Sequence, residues 1–294
     1  MNADLPPTEG RNERSAGLDL LETPSLIELL VSEQRDAVDA VLSESKTIAY
    51  AVDEIAARLR AGGVLHYVGA GSSGRLAMLD AAEIPPTFGT AAELVRAHVA
   101  GGPEALVRAV EGAEDDGDAG AALIQETLRA GDAAIGISAG GGAAFVVSAI
   151  SRARDMGAYT VALTAAAGSP LALAAETALV VATGAEALAG STRMKAGTAQ
   201  KIALNAISTA VMVRLGRVYD NLMVDLVASN HKLRRRALRL ICAIAEVDVE
   251  RASELLDAAG GRVKVAIVMQ RRGLDAERAR SLLESAGGSL RAAL

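Results

Sequence analysis

The chain has 294 residues; 51% are hydrophobic, only 2% are aromatic, and the formal net charge is −6. This length suits one large domain or two smaller ones with a sizeable core, and the scarcity of rings excludes single-stranded nucleic-acid binding by base stacking. An acidic total disfavours nucleic acid as a partner, one cysteine (Cys242) excludes a disulfide framework or thiolate cage, and three scattered histidines (His66, His98, His231) offer no metal-ligand spacing, so no metal is expected.

Residues 1–17 are polar, punctuated by Pro and Gly, and read as an arm; they hold no apolar stretch of signal-peptide type, which makes the cytoplasm the expected location. Thr23-Pro24-Ser25 reads as a helix entry, and a second helix is predicted over 45–60, closed by Gly62-Gly63. The pattern then changes. β-prone runs at 64–69, 95–99, 133–138, 159–164 and 178–182 alternate with helical segments at 75–83, 104–112, 118–130, 143–157 and 170–176. Such alternation predicts an α/β fold, a parallel five-stranded sheet flanked by helices, with ligands bound beyond the carboxyl ends of its strands. The uncharged stretches 133–151 and 156–175 approach membrane-span length, but Gly breaks both and Pro170 the second, so no membrane association is expected. A long helix is predicted from Ser191-Thr192 to Gly216, with Met194, Ile202, Leu204, Ile207, Val211 and Leu215 on one broad apolar face. Past Asn230 the chain becomes more charged, and helices at about 231–245, 248–258, 261–271 and 275–286 predict a small helical C-terminal module. The dense basic run Arg234-Arg235-Arg236 reads as a solvated helix face there. The expected partition is an N-terminal arm and helix over 1–45, a central α/β domain over 46–229 and the module over 230–294.

Three segments carry chemistry. The strand ending Val68-Gly69 empties into Ala70-Gly71-Ser72-Ser73-Gly74-Arg75. Glycines let the backbone approach an anion, serines add hydroxyl donors, and a following helix aims its free N–H groups at the same point. No Lys-Ser or Lys-Thr follows, so this is not a nucleoside-triphosphate loop. A second glycine-rich exit, Ser138-Ala139-Gly140-Gly141-Gly142, follows the third strand, and two such loops side by side make a cradle for one sugar phosphate. Gly190-Ser191-Thr192-Arg193-Met194-Lys195 offers hydroxyls at a helix start and a cation a turn later, either an anion site or an ordinary capped helix. Two groups of carboxylates stand out. Glu83 precedes Pro85-Pro86, which is expected to stop its helix and fix its geometry. Glu111, Glu114, Asp115 and Asp116 cluster where a helix C-terminus is predicted, at odds with its dipole, although they could instead cap the next helix.

Taken together, the strings Thr8-Glu9-x-Arg11-Asn12, GAGSSGRL at 69–76, DAAEIPPTFG at 80–89, AVEGAEDD at 109–116, GSTRMKAGTAQK at 190–201 and NLMVDLVASN at 221–230 closely resemble the N-acetylmuramic acid 6-phosphate etherase family over nearly the whole chain. The resemblance implies the SIS (sugar isomerase) fold and a cytoplasmic lyase of peptidoglycan recycling. Such a lyase cleaves the lactyl ether of N-acetylmuramic acid 6-phosphate to N-acetylglucosamine 6-phosphate and D-lactate, without metal or redox cofactor. It also implies a homodimer, for which the 191–216 helix offers a surface. The family's acid/base pair falls on Glu83 and Glu114. The phosphate-binding set falls on Gly71, Ser72, Ser73 and Gly74, helped by Ser138, Gly140, Gly141, Ser191, Thr192 and Lys195. One departure is plain: the family usually carries a Ser-Gly-Arg-Thr-Pro-like second loop, and here the matching residues are Gly140-Gly141-Gly142-Ala143-Ala144. The missing hydroxyls and guanidinium leave two rival readings, a non-catalytic sugar-phosphate regulator and a sugar-phosphate isomerase. Retention of both carboxylates favours an enzyme, and no basic recognition helix stands at the N-terminus for a DNA-bound regulator.

Overall fold

The computed structural model describes residues 6–226 and 231–294, so the last part of the 221–230 string lies outside the described residues. The chain forms two compact units, one of residues 1–82 and 93–208, the other of residues 83–92 and 209–294.

The first unit holds the sheet: β1 (Leu65–Gly69), β2 (Val95–Val99), β3 (Ala133–Ile137), β4 (Tyr159–Thr164) and β5 (Thr177–Val180), in the order β2-β1-β3-β4-β5, every pair parallel. β1, β3 and β4 are buried at every position, which explains their continuous apolar runs; the edge strand β2 alternates more. The helices of this unit are α1 (Thr23–Ser32), α2 (Arg35–Ser43), α3 (Ser45–Arg60), the first part of α4 (Gly71–Phe88), α5 (Gly117–Thr127), α6 (Ala144–Asp155), α7 (Pro170–Ala174) and most of α8 (Lys195–Arg214). Alanine content has a packing purpose. Ala134, Ala149, Ala153 and Ala162 are fully buried, and at the α5–α6 crossing a methyl group on Gly120 would stand 2.1 Å from the Phe145 carbonyl oxygen.

The second unit contains a short hairpin, β6 (Val218–Tyr219) and β7 (Leu222–Met223), and helices α9 (His231–Ala245), α10 (Val249–Ala258), α11 (Val263–Arg272), α12 (Ala276–Ser285) and α13 (Leu290–Ala293) around its own apolar core. Lys264 is buried there. Its ammonium donates to the carbonyls of Gly216 (2.9 Å) and Gly288 (2.6 Å) and to Asp225 Oδ2 (2.9 Å), which also accepts from Arg217.

Four expectations change. Pro85 and Pro86 do not stop the helix; α4 carries both inside its last turns and ends at Phe88. Neither proline can donate to the carbonyl four residues back, at Ala81 and Ala82, yet the helix goes on, and Gly89 N–H closes on the Pro85 carbonyl at 2.9 Å. The predicted helix 104–112 is only a 3-10 turn, Gly102–Leu106, after which Val107 is 81% exposed. The apolar pattern finds no core to pack on, and Gly112 turns left-handed (φ 74°). The acids therefore do not end a helix, and Asp116 instead caps α5 by accepting from Ala119 N–H at 2.9 Å. The long helix starts at Lys195, not Ser191, because the Glu186 carboxylate caps it through the N–H groups of Lys195 and Ala196, both at 2.9 Å. Half of its expected pairing face is buried inside the protomer, at Leu204, Ile207 and Val211, while Met194, Ile202 and Leu215 stay half-buried. By contrast α1 buries no residue, and Ile27, Val31, Val38 and Leu42 of α1 and α2 are exposed.

Candidate functional site

The first glycine loop leaves the carboxyl end of β1 and enters α4 without spare room. A methyl on Gly69 would sit 2.7 Å from Gly74 N, and one on Gly74 would sit 2.6 Å from Val99 Cγ2 and 2.9 Å from the Gly69 carbonyl oxygen. Gly71 takes φ +51°, a left-handed value that glycine adopts freely. Only glycine at these points lets the strand turn so tightly that the first N–H groups of an 18-residue helix face the loop. Ser72 is half-buried, while Ser73 is buried and donates its hydroxyl to Gln200 Oε1 at 2.9 Å. Gln200 Nε2 is buried without a partner among the described residues, a donor beside the loop that sequence reading did not single out. Its signal was present in the 190–201 string, but only the fold brings it to Ser73.

α4 is held firmly in the first unit. Asp80 Oδ2 accepts from Tyr67 Oη (3.0 Å) and its other oxygen from Asn205 and from Ser208 (3.1 Å). Burial, reinforced by Asp80, pushes the Tyr67 phenol well above its ordinary pKa, so it stays a donor. β1, α4 and α8 are thereby tied at one carboxylate, and the glycine loop is fixed between them.

The second loop is stapled to its neighbours. Ser138 N–H donates to the Leu163 carbonyl (3.1 Å), Thr164 Oγ1 to that of Ala139 (3.1 Å) and Leu171 N–H to that of Gly141 (3.0 Å). Gly141 is left-handed (φ +68°), and a methyl there would meet Ser169 Oγ at 2.1 Å, so this glycine alone of the three has no alternative. It occupies the position at which the family pattern also keeps glycine. Gly142 has nothing within 4 Å of an added methyl, and Gly140 has only Pro6, at 3.7 Å. Ala143 precedes α6 without a side-chain cap.

The arm of residues 6–14 lies on these loops. Pro6 is beside Gly140, and the Thr8 carbonyl accepts from Gly190 N–H at 3.3 Å. Asn12 donates to Glu33 (2.6 Å), and Arg14 pairs with Glu33 (2.9 Å) and Asp36. Lys195 joins this network. It is 1% exposed, and its ammonium donates to Glu33 Oε2 and Asp36 Oδ2, both at 3.0 Å. The Arg14 guanidinium first, then Lys195, hold the Asp36 carboxyl below its ordinary pKa against the effect of burial. Ser191 and Thr192 are half-buried in the turn ahead of α8, where the Thr192 carbonyl accepts from Gly197 N–H at 2.9 Å. Sequence reading foresaw neither Glu33 nor Asp36 as partners of Lys195.

Glu83 is exposed on α4 and belongs to the second unit. Glu114 is exposed in the 3-10 turn Ala113–Asp115 of the first unit, just ahead of α5. The structure thus brings the glycine loop, Gln200 and the α8 start together.

Residues 47–154 match the family model described as the glucokinase regulatory protein N-terminal SIS domain, and residues 112–210 match the SIS domain. An N-acetylmuramic acid 6-phosphate etherase of Symbiobacterium thermophilum is 49% identical over 91% of this chain and 89% of its own length. One of Gloeobacter violaceus is 50% identical over 89% of this chain and 86% of its own length. Among solved structures, a phosphoheptose isomerase from Francisella tularensis is similar with a TM-score of 0.50 at 18% identity, covering 65% of this chain and 98% of that one, which bears on the fold.

Proposed function

The chain belongs to the N-acetylmuramic acid 6-phosphate etherase family, and from that premise we propose that it is a carbon–oxygen lyase cleaving the D-lactyl ether of N-acetylmuramic acid 6-phosphate. The carrying observation is near 50% identity over nine-tenths of the chain, with Glu83 and Glu114 both present in their motif strings.

The chemistry follows from the substrate. In the ring-opened sugar the proton on carbon 2 lies next to an aldehyde and is acidic, and the ether oxygen on carbon 3 is a β leaving group. One carboxylate takes the carbon-2 proton, the electron pair forms the carbon 2–carbon 3 double bond, and the carbon–oxygen bond breaks. The second carboxyl group protonates the departing lactate oxygen. Water then adds at carbon 3 of the unsaturated aldehyde, and carbon 2 regains a proton, leaving N-acetylglucosamine 6-phosphate. We assign Glu83 as the main acid/base and Glu114 as its partner; each proton transfer contributes about 10²–10⁴-fold. The reaction calls for no metal or redox group.

The phosphate would rest on the N–H groups of Gly71, Ser72 and Ser73 and on the Ser72 hydroxyl, with Gly74 shaping the turn (its N–H is held by the Ala70 carbonyl at 3.2 Å) and Gln200 Nε2 as an added donor. The Ser138 hydroxyl and Gly140 N–H would face it from the second loop, where Gly141 serves the turn by giving its own N–H to the Ser138 carbonyl. Ser191 and Thr192 would complete the rim. Lys195 serves this site by positioning, since its ammonium is bound by Glu33 and Asp36. The exposed apolar faces of α1 and α2 support a homodimer built on these helices. No helix among the described residues is long and apolar enough to cross a membrane, and a sugar-phosphate substrate fits a cytoplasmic enzyme.

The test is direct. Incubation with N-acetylmuramic acid 6-phosphate should release stoichiometric D-lactate, and Glu83→Gln should abolish release while leaving sugar-phosphate binding intact. Binding without lactate from the unaltered protein would favour the regulator reading instead.

A further inference from the structure

The proposed substrate carries two anionic groups, a phosphate on carbon 6 and a carboxylate on the lactyl arm at carbon 3. The glycine loop answers only the first. Next to it, a groove of about 450 Å³ runs between α4 and α8. Ser72, Arg75, Leu76 and Leu79 share one face of α4, at the spacing that aligns side chains along a helix. Arg193, in the turn ahead of α8, and Lys201, two turns further on, supply the opposite wall.

Three cations therefore line one groove, and no carboxylate does among the described residues. Arg75 gives one N–H to the Arg108 carbonyl at 3.3 Å. Arg193 and Lys201 are exposed, and their side chains make no ion pair or hydrogen bond among the described residues. Like charges gathered without counter-charge repel one another, and nothing in the packing of α4 or α8 requires them. A bland solvated rim would mix signs, as the exposed ion pairs elsewhere on this protein do. Here three positive charges face a ligand that would bring about three negative ones, a phosphate near −2 and a carboxylate at −1. Leu79, 50% exposed, and Leu76 give the groove an apolar strip suited to the lactyl methyl group.

We propose that this groove is the subsite for the lactyl carboxylate, with Arg193 as its bidentate reader and Lys201 as the second charge. The proposal rests on the etherase reading above. The planar guanidinium fork matches a carboxylate in a way an ammonium does not. Because the sugar product has lost the carboxylate, the subsite discriminates substrate from that product.

The experiment is calorimetric titration in a Glu83→Gln background, which stops turnover, with N-acetylmuramic acid 6-phosphate and N-acetylglucosamine 6-phosphate as the two probes. Arg193→Ala and Lys201→Ala should each weaken the lactyl sugar about 10- to 100-fold and change the other sugar less than about twofold; Arg193→Lys should restore only part of the loss. Both positions are exposed, and thermal melts verify that the variants fold. Equal losses for both sugars would mean that the cations hold phosphate and would overturn the subsite. So would no loss for either, or no preference for the lactyl sugar in the parent protein. Failure of the etherase reading shows separately, as binding discrimination without lactate release by the unaltered enzyme.

Discussion

Lys195 offers the sharpest separation between positioning and ligand binding. In Lys195→Met the buried Glu33, 4% exposed, loses a charged donor at 3.0 Å, and Asp36 loses another. Removing one partner of a buried ion pair costs about 3–5 kcal/mol, because the remaining charge stays buried and uncompensated. Glu33 keeps Asn12 and Arg14, so the lower end applies, about 3 kcal/mol. For a unit of this size that corresponds to a fall in melting temperature of about 6–12 °C. The arm and α1–α2 should loosen first, since Glu33 and Asp36 are their anchor to the start of α8. The assay is differential scanning calorimetry beside phosphate-sugar binding at a temperature well below the melt. Sugar-phosphate affinity should change little once the variant is folded. A fall of tenfold or more in affinity with an unaltered melting temperature would refute the argument and return Lys195 to the phosphate.

Three other outcomes are expected. Gly140→Ser with Gly142→Arg restores the family's hydroxyl and guanidinium at two positions with room for them; each charge-assisted bond regained is worth about 1.5–3 kcal/mol, so substrate KM should fall at least tenfold, and an unchanged KM would place the phosphate elsewhere. Gly89→Ala forces a methyl to 1.9 Å from the Asp225 carbonyl oxygen at φ +62° and should cost about 3 kcal/mol, seen as a lower urea midpoint of the second unit. Burial, then the adjacent His66 and Arg96, hold His98 down to about 4, and burial lowers His66 as well. The His98 imidazole is therefore neutral in the fold at pH 7 and well below it, while in the unfolded chain it protonates near 6.5. Stability is full above about pH 6.5 and is lost as pH falls toward 4, by about 3 kcal/mol from His98 alone. Urea midpoints of His98→Gln should decline less steeply over that range than those of the parent protein.

The parallel sheet was legible because each buried strand is a short uninterrupted apolar run, and such runs alternating with helical segments admit few topologies. The glycine loop was legible for a similar reason: its steric demand is local, set by Gly69, Gly71 and Gly74 within six residues. Local rules failed where tertiary surroundings decide. Pro85-Pro86 looks like a stop, yet α4 runs through both to Phe88 and closes with Gly89 N–H on the Pro85 carbonyl. Ser191-Thr192 looks like a cap, yet the cap comes from Glu186, which no helix-start pattern names. The apolar face of α8 looks like an interface because periodicity reports that a face is buried, not what buries it.

The site shows the same division more sharply. Lys195 beside two hydroxyls reads as an anion receptor in one dimension, and its two carboxylate partners stand 162 and 159 residues away. A cation's role is set by whether its charge is already answered, and that answer is a property of the fold. By the same rule Arg193 and Lys201, which draw no notice inside a long matching string, become informative once the structure leaves them unanswered beside Ser72. The committed cation and the uncommitted ones lie within eight residues of sequence, so motif reading treats them alike; burial and counter-charge separate them. The residue that steadies the framework is the buried, paired one, and those available to a substrate are the exposed cations that the protein itself has not neutralised.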